Sequence, residues 1–167
     1  MGLVPEWFTP PELLTGAGFV FSKLTIRDVY LDYYAWYSNI HHIKQQRGGD
    51  ERPDKWFTLE DNLIDLGWHQ KEFENKDSFA YSIKNTDLTE IWGSVYLYPA
   101  SWRVDQQLAS QYEVDVSRRC TKQKCEQWFE DILVRSVVEW LAKNRCFKKI
   151  YFSNASLPKG MSRELIL

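Results

Sequence analysis

From Gln111 to Ser117 the chain alternates, with Tyr112, Val114 and Val116 on one face and Glu113, Asp115 and Ser117 on the other. That is the period-2 signature of a half-buried strand. Near Lys122 the spacing lengthens to three and four through Cys125, Phe129, Ile132, Ser136, Val137, Trp140 and Leu141, which predicts a long amphipathic helix. Lys143-Asn144-Arg145 places cations where a helix C-terminus favours them, and Lys148 to Ser153 reads as another strand. A strand–helix–strand unit of this length favours a parallel pair with a right-handed crossover. Ligands of such units sit beyond the C-terminal ends of the strands, near the helix N-terminus. Here that is Arg118 to Lys124.

Upstream, Phe19 to Leu24 predicts a first strand, and Thr25 with Asp28 forms an acidic variant of the capping box. The helix it opens carries Val29, Tyr33, Trp36, Ile40 and Ile43 on one stripe and ends before a polar loop, Arg47-Gly48-Gly49-Asp50, that continues through Pro53. Thr58 with Asp61 repeats the cap signal and opens a second helix to about Phe73, its apolar face formed by Leu59, Leu63, Leu66 and Phe73. Two strands follow, Ser78 to Ile83 and Ile91 to Tyr98, joined by the turn residues Asn85-Thr86-Asp87 and therefore antiparallel. Pro99 stops the second of them, and a polar connection spans Ser101 to Ala109. The order β-α-α-β-β-β-α-β, with a short helical tail at Ser162 to Leu167, predicts an α+β mixed sheet flanked by helices. We read residues 1–167 as one domain, with residues 1–18 as an arm whose hydrophobes Trp7, Phe8, Leu13 and Leu14 need cover from the body.

Composition adds limits. The chain has 167 residues, 44% hydrophobic and 26% charged, enough for one sizeable core. Its eight Trp, nine Tyr and nine Phe supply bulk for that core, and large aromatics also line pockets and partner surfaces. The net charge of −2 is unevenly spread. Arg118 to Lys149 holds nine cations and four acids, net +5, which leaves −7 for the remainder. The whole is not a nucleic-acid-binding composition, while the cations at the helix start read either as a solvated helix face or as a local anion site. Cys120, Cys125 and Cys146, odd in number and without CxxC spacing, argue against a disulfide framework and a zinc ribbon. The first residues lack the features of a signal peptide, and Glu6 breaks the myristoylation pattern. No apolar run approaches membrane-spanning length. The expectation is a cytoplasmic protein with no membrane or nucleic-acid partner.

The element order, together with Phe21-Ser22-Lys23-Leu24-Thr25, the segment Thr58 to His69, Ser78-Phe79-Ala80-Tyr81 and Gly93 to Pro99, resembles the GNAT superfamily of N-acetyltransferases, and in texture a divergent bacterial branch of it. The resemblance implies acetyl-CoA as co-substrate, no metal, and an amine acceptor on a small molecule or peptide. It also implies that the pantetheine arm runs along the fourth strand, where that strand splays from the fifth, with the pyrophosphate on a glycine-rich loop. Carried over, Val114 and Val116 are the pantetheine-facing residues, Arg118, Arg119, Thr121, Lys122 and Lys124 form the phosphate segment, and Asn154 matches a frequent family asparagine. No glycine occurs between Gly93 and Gly160. Two alternatives follow: side chains block close approach of the backbone, or Arg118, Arg119, Lys122 and Lys124 grip the phosphates directly. The family's general-acid Tyr lies on a later helix, and no Tyr follows Tyr151.

Amine acetylation needs a base and support for the thioester carbonyl. Glu113 and Asp115 are the candidate catalytic carboxylates, with Glu113 first, and Ser117 and Tyr96 are candidate proton donors. His41 and His42 point apart on a helix end and cannot chelate as a pair. His69 is a base only if geometry brings partners to it. Cys120 and Cys125 lack an evident His partner for thiol catalysis. The alternative function is a GNAT-like fold without catalysis, a binding or oligomerisation module such as a homodimer, working through aromatics such as Trp92, Trp102 and Tyr98.

Overall fold

Seven short strands share one sheet in the order β1-β2-β3-β4-β5-β6-β7. They are β1 Leu13–Thr15, β2 Val20–Lys23, β3 Phe79–Lys84, β4 Ile91–Pro99, β5 Val114–Cys120, β6 Lys149–Phe152 and β7 Glu164–Ile166. Every neighbouring pair is antiparallel except β5–β6, which is parallel. The helices are α1 Val29–Tyr37, α2 Ile40–Gln46, α3 Leu59–Asn75, the single turns α4 Ala100–Arg103 and α5 Gln106–Ala109, then α6 Lys122–Glu126 and α7 Phe129–Asn144. This computed structural model describes residues 2–46, 56–127, 129–144, 146–154 and 157–167. The polar loop expected at 47–53, Trp128 and Arg145 lie outside the described residues.

The main core lies between one face of the sheet and α7. Phe79, Tyr81, Val95, Leu97, Val114, Val116, Ile150 and Phe152 meet Phe129, Leu133, Val137 and Leu141 there, and Val4 and Phe8 join the same cluster. The opposite face carries a smaller cluster of Leu24, Leu66 and Ala80 under α1 and α3. Both helix starts are fixed by their caps. Thr25 and Asp28 form a capping box ahead of α1, and Thr58 and Asp61 form one at α3, each satisfying backbone donors a helix start leaves open.

Five expectations need correction. The first helical stripe is broken at Ser38–Asn39, because Asn39 turns its Nδ2 back to the Ala35 carbonyl at 2.7 Å and competes with the helical ladder. The third predicted helix is likewise two, α6 and α7, parting at Gln127. The apolar face of α3 is rotated: Leu63 is 44% exposed, whereas Asn62 is buried and donates to the Val29 carbonyl. The fourth strand begins three residues later than its alternation indicates and runs through Arg118 and Arg119. The reason is tertiary, since β4 pairs with it from Pro99↔Val114 to Gly93↔Cys120. The tail at 162–167 is strand β7 rather than helix, because six residues are too few to nucleate a helix alone and the free edge of β6 supplies partners.

Candidate active site

Residues of β5 alternate between two environments. Val114, Val116 and Cys120 face the main core, while Asp115, Ser117 and Arg119 stand on the other face beside their β4 partners Tyr98, Tyr96 and Ser94. Parallel pairing with β6 holds Val114, Asp115 and Val116 to Ile150, Tyr151 and Phe152. Ser153 N–H then reaches the Val116 carbonyl at 3.3 Å. Past that point the strands part, and a side chain bridges them. Arg118 N–H donates to Asn154 Oδ1 at 2.8 Å, and Asn154 Nδ2 donates to the Arg118 carbonyl at 2.7 Å. Arg163 fixes the turn by donating to the carbonyls of Phe152 and Asn154. Val114 and Val116 have buried side chains and strands on both sides, so the backbone bordering the divergence is that of Ser117 and Arg118.

A row of polar groups lies beside the divergence. Asp115 is fully buried; its Oδ2 accepts from Ser153 Oγ at 2.8 Å, and its Oδ1 has no hydrogen-bond partner among the described residues. Burial pushes its carboxyl above the usual range, opposed by the Ser153 hydrogen bond. Tyr98 Oη lies 3.3 Å from His69 Nδ1, and His69 Nε2 lies 3.4 Å from Asp65 Oδ2. The imidazole also rests against Tyr96, with ring centroids 5.4 Å apart. Burial raises the pKa of both tyrosines, so both keep their protons at neutral pH. Arg103 covers Tyr98 at 4.7 Å.

The cations of the phosphate segment are mostly turned to other work. Arg118 is buried in an ion pair with Glu130 of α7. Arg119 binds Asp32 Oδ1 at 3.0 Å and Ser94 Oγ at 3.3 Å, and it lies over Trp36. Burial raises the Asp32 carboxyl and the Arg119 guanidinium opposes that rise. Lys124 Nζ sits 3.7 Å above the Trp92 ring. Lys122 is exposed, with only a loose 3.9 Å pairing to Glu126. The backbone donors are engaged as well: Thr121 N–H on the Trp92 carbonyl, Lys122 N–H on Asn39 Oδ1, and Lys124 N–H on the Thr121 carbonyl.

Glu113 does not belong to this constellation. Its Oε2 accepts from the N–H groups of Lys148 and Lys149 at 2.5 and 3.1 Å, which staples the start of β6. It stands roughly 16 Å along the strand from Arg118 at about 3.3 Å per residue. Cys120 and Cys125 are joined in a disulfide, a pairing that neither cysteine count nor spacing indicates. His42 lies beside them, its imidazole pKa lowered by burial.

Asp65, His69 and Tyr98 meet only in the fold. The one signal in the sequence is the spacing of Asp65 and His69, one helical turn apart. Nothing local links either to Tyr98 on β4.

No family model and no curated protein matches this sequence. Solved structures do match in shape. The ribosomal-protein-S5-alanine acetyltransferase of Vibrio fischeri superposes with a TM-score of 0.66 at 13% identity, covering 84% of this chain and 72% of that one. RimL, a ribosomal L7/L12 alpha-N-protein acetyltransferase in complex with coenzyme A, gives 0.65 at 8% identity, covering 84% and 73%. A GNAT-family acetyltransferase from Bacillus anthracis gives 0.54 at 8% identity, covering 84% and 72%. At such identities the likeness is one of architecture: the seven-stranded sheet with its parallel β5–β6 pair and flanking helices is the GNAT acetyltransferase fold.

Proposed function

We propose that this protein is an N-acetyltransferase that draws its acetyl group from acetyl-CoA and passes it to an amine on a small molecule or peptide. One observation carries the reading: at the divergence of β5 and β6, the N–H and C=O of Arg118 are served by a side-chain amide, that of Asn154. A pantetheine arm offers the same donor and acceptor pair, so the place fits that part of the co-substrate once Asn154 turns aside. The diphosphate end fits less well, since Arg118 and Arg119 are paired internally and Lys122 is the exposed cation of the segment.

Bound there, acetyl-CoA supplies an activated acyl carbon and a thiolate leaving group. In this reading Tyr98 Oη takes the proton from the incoming ammonium as it passes its own to His69 Nδ1, and Asp65 holds the ring through Nε2. Tyr96, whose β4–β5 partner is Ser117, keeps its proton at neutral pH and gives it to the departing thiolate. Asp115, fixed by the Ser153 hydroxyl beside Tyr98, positions the row. Thiol release from acetyl-CoA in the presence of amines and of peptides with free N-termini tests the reading. Activity that falls in Tyr96→Phe and His69→Gln supports it, and no release with any acceptor contradicts it.

A second reading is favoured by the engaged N–H groups of Thr121 and Lys122. On that reading the fold binds a partner without catalysis and gives no response to acetyl-CoA.

A further inference from the structure

We propose that His42, Cys120 and Cys125 form a soft-metal site that alternates with the disulfide: oxidised, the two sulfurs are bonded to each other, and reduced, the three side chains bind one zinc ion. Three elements bring them together. Cys120 ends β5, Cys125 lies in α6, and His42 comes from α2. The approach of α2 is fixed by Asn39, whose Oδ1 accepts from Lys122 N–H at 2.8 Å, and by Ile43, which is buried.

The donor atoms, Nε2 or Nδ1 of the imidazole and the two Sγ, all lie within 4.8 Å of one another. A tetrahedral zinc with Zn–S of about 2.3 Å and Zn–N of about 2.0–2.1 Å needs donor atoms roughly 3.5–3.8 Å apart. Once the sulfurs are released from each other, side-chain rotation can bring the three donors to that spacing. The Cα–Cα distance of 6.0 Å suits the bonded state, so both states need only side-chain movement.

A second observation concerns the same imidazole. His42 Nε2 is buried and has no hydrogen-bond partner among the described residues. Buried ring nitrogens are ordinarily partnered, and a metal ion would be that partner. Two thiolates and one imidazole are a borderline-soft set that selects zinc over magnesium or calcium. Three protein ligands leave the fourth position to water or an anion.

The chemistry balances. A dithiol reductant delivers two electrons and two protons to the Cys120–Cys125 bond, which becomes two thiols as the reductant closes its own disulfide. Binding of one zinc ion then releases the two thiol protons to solvent.

The test uses the full chain, reduced with a water-soluble phosphine that is then removed, and titrated anaerobically with Co(II) as a spectroscopic stand-in, followed by displacement with Zn(II). The expected result is one cobalt per chain with a thiolate-to-metal charge-transfer band, absent from the oxidised chain. Cys120→Ser and Cys125→Ser each abolish the band, and Cys146→Ser leaves it intact. His42→Gln lowers affinity by at least the roughly 10–100-fold that even outer-shell changes cause. Should Cys120→Ser fail to fold, as circular dichroism would reveal, the half-buried Cys125 and His42 variants carry the test. No cobalt uptake by reduced chain, affinity unchanged in His42→Gln, or a band lost in Cys146→Ser would overturn the site.

Discussion

Asn154 and Arg118 hydrogen-bond to each other twice, side-chain amide against backbone, at 2.8 and 2.7 Å, where β5 and β6 stop pairing. The asparagine thus completes the sheet with one side chain where a strand would otherwise continue. Asn154→Ala leaves a buried N–H and C=O without that partner. It is expected to destabilise the fold by about 1–3 kcal/mol, read as a lower urea midpoint with unchanged slope. In the same variant, acetyl-CoA should slow amide exchange at Arg118.

Asp115 gives a pH-dependent prediction. Burial lifts its folded-state pKa above the unfolded value, so its contribution to stability is fully present below about pH 3.9 and is lost as pH rises through the raised pKa. Asp115→Asn removes that loss and keeps an oxygen for the Ser153 hydroxyl. Its melting temperature is expected to exceed the parent's near about pH 8, by roughly 2–4 °C per kcal/mol gained, with the gap closing toward about pH 4. A gap that widens in acid contradicts the assignment.

Proton transfer through His69 and Tyr96 predicts a separation of activity from stability. His69→Gln and Tyr96→Phe are each expected to lower the rate of thiol release by about 10²–10⁴ while the melting temperature changes little. A rate unchanged in both variants removes these residues from the chemistry.

Gly93 is required by close approach. A Cβ there would lie 2.3 Å from the Arg119 carbonyl oxygen and 3.1 Å from Cys120 Cα, and both contacts are backbone. Gly93→Ala must part β4 from β5 beside Arg119, with an expected loss of at least about 1–3 kcal/mol. Thermal unfolding measures it.

Much of this was legible in the chain. Both capping boxes, the β3–β4 hairpin and the parallel pair around a helical crossover follow from local pattern, because each is set by residues close in sequence. The remaining features depend on distant partners. Arg118 and Arg119 look like solvent or phosphate cations until Glu130 and Asp32 are brought to them. Glu113 looks catalytic until the start of β6 folds onto its carboxylate. The tail becomes a strand because β6 offers an edge. The Asp65–His69–Tyr98 grouping joins elements whose meeting no short-range pattern encodes, whereas Cys120 and Cys125, five residues apart, pair across the turn from β5 into α6.

The most direct test of the central claim is calorimetric titration of the chain with acetyl-CoA. The account predicts one site per chain with micromolar affinity, weakened in Lys122→Ala, the exposed cation beside the divergence. An absence of heat and of thermal stabilisation at millimolar acetyl-CoA would contradict it and leave the fold as a binding module.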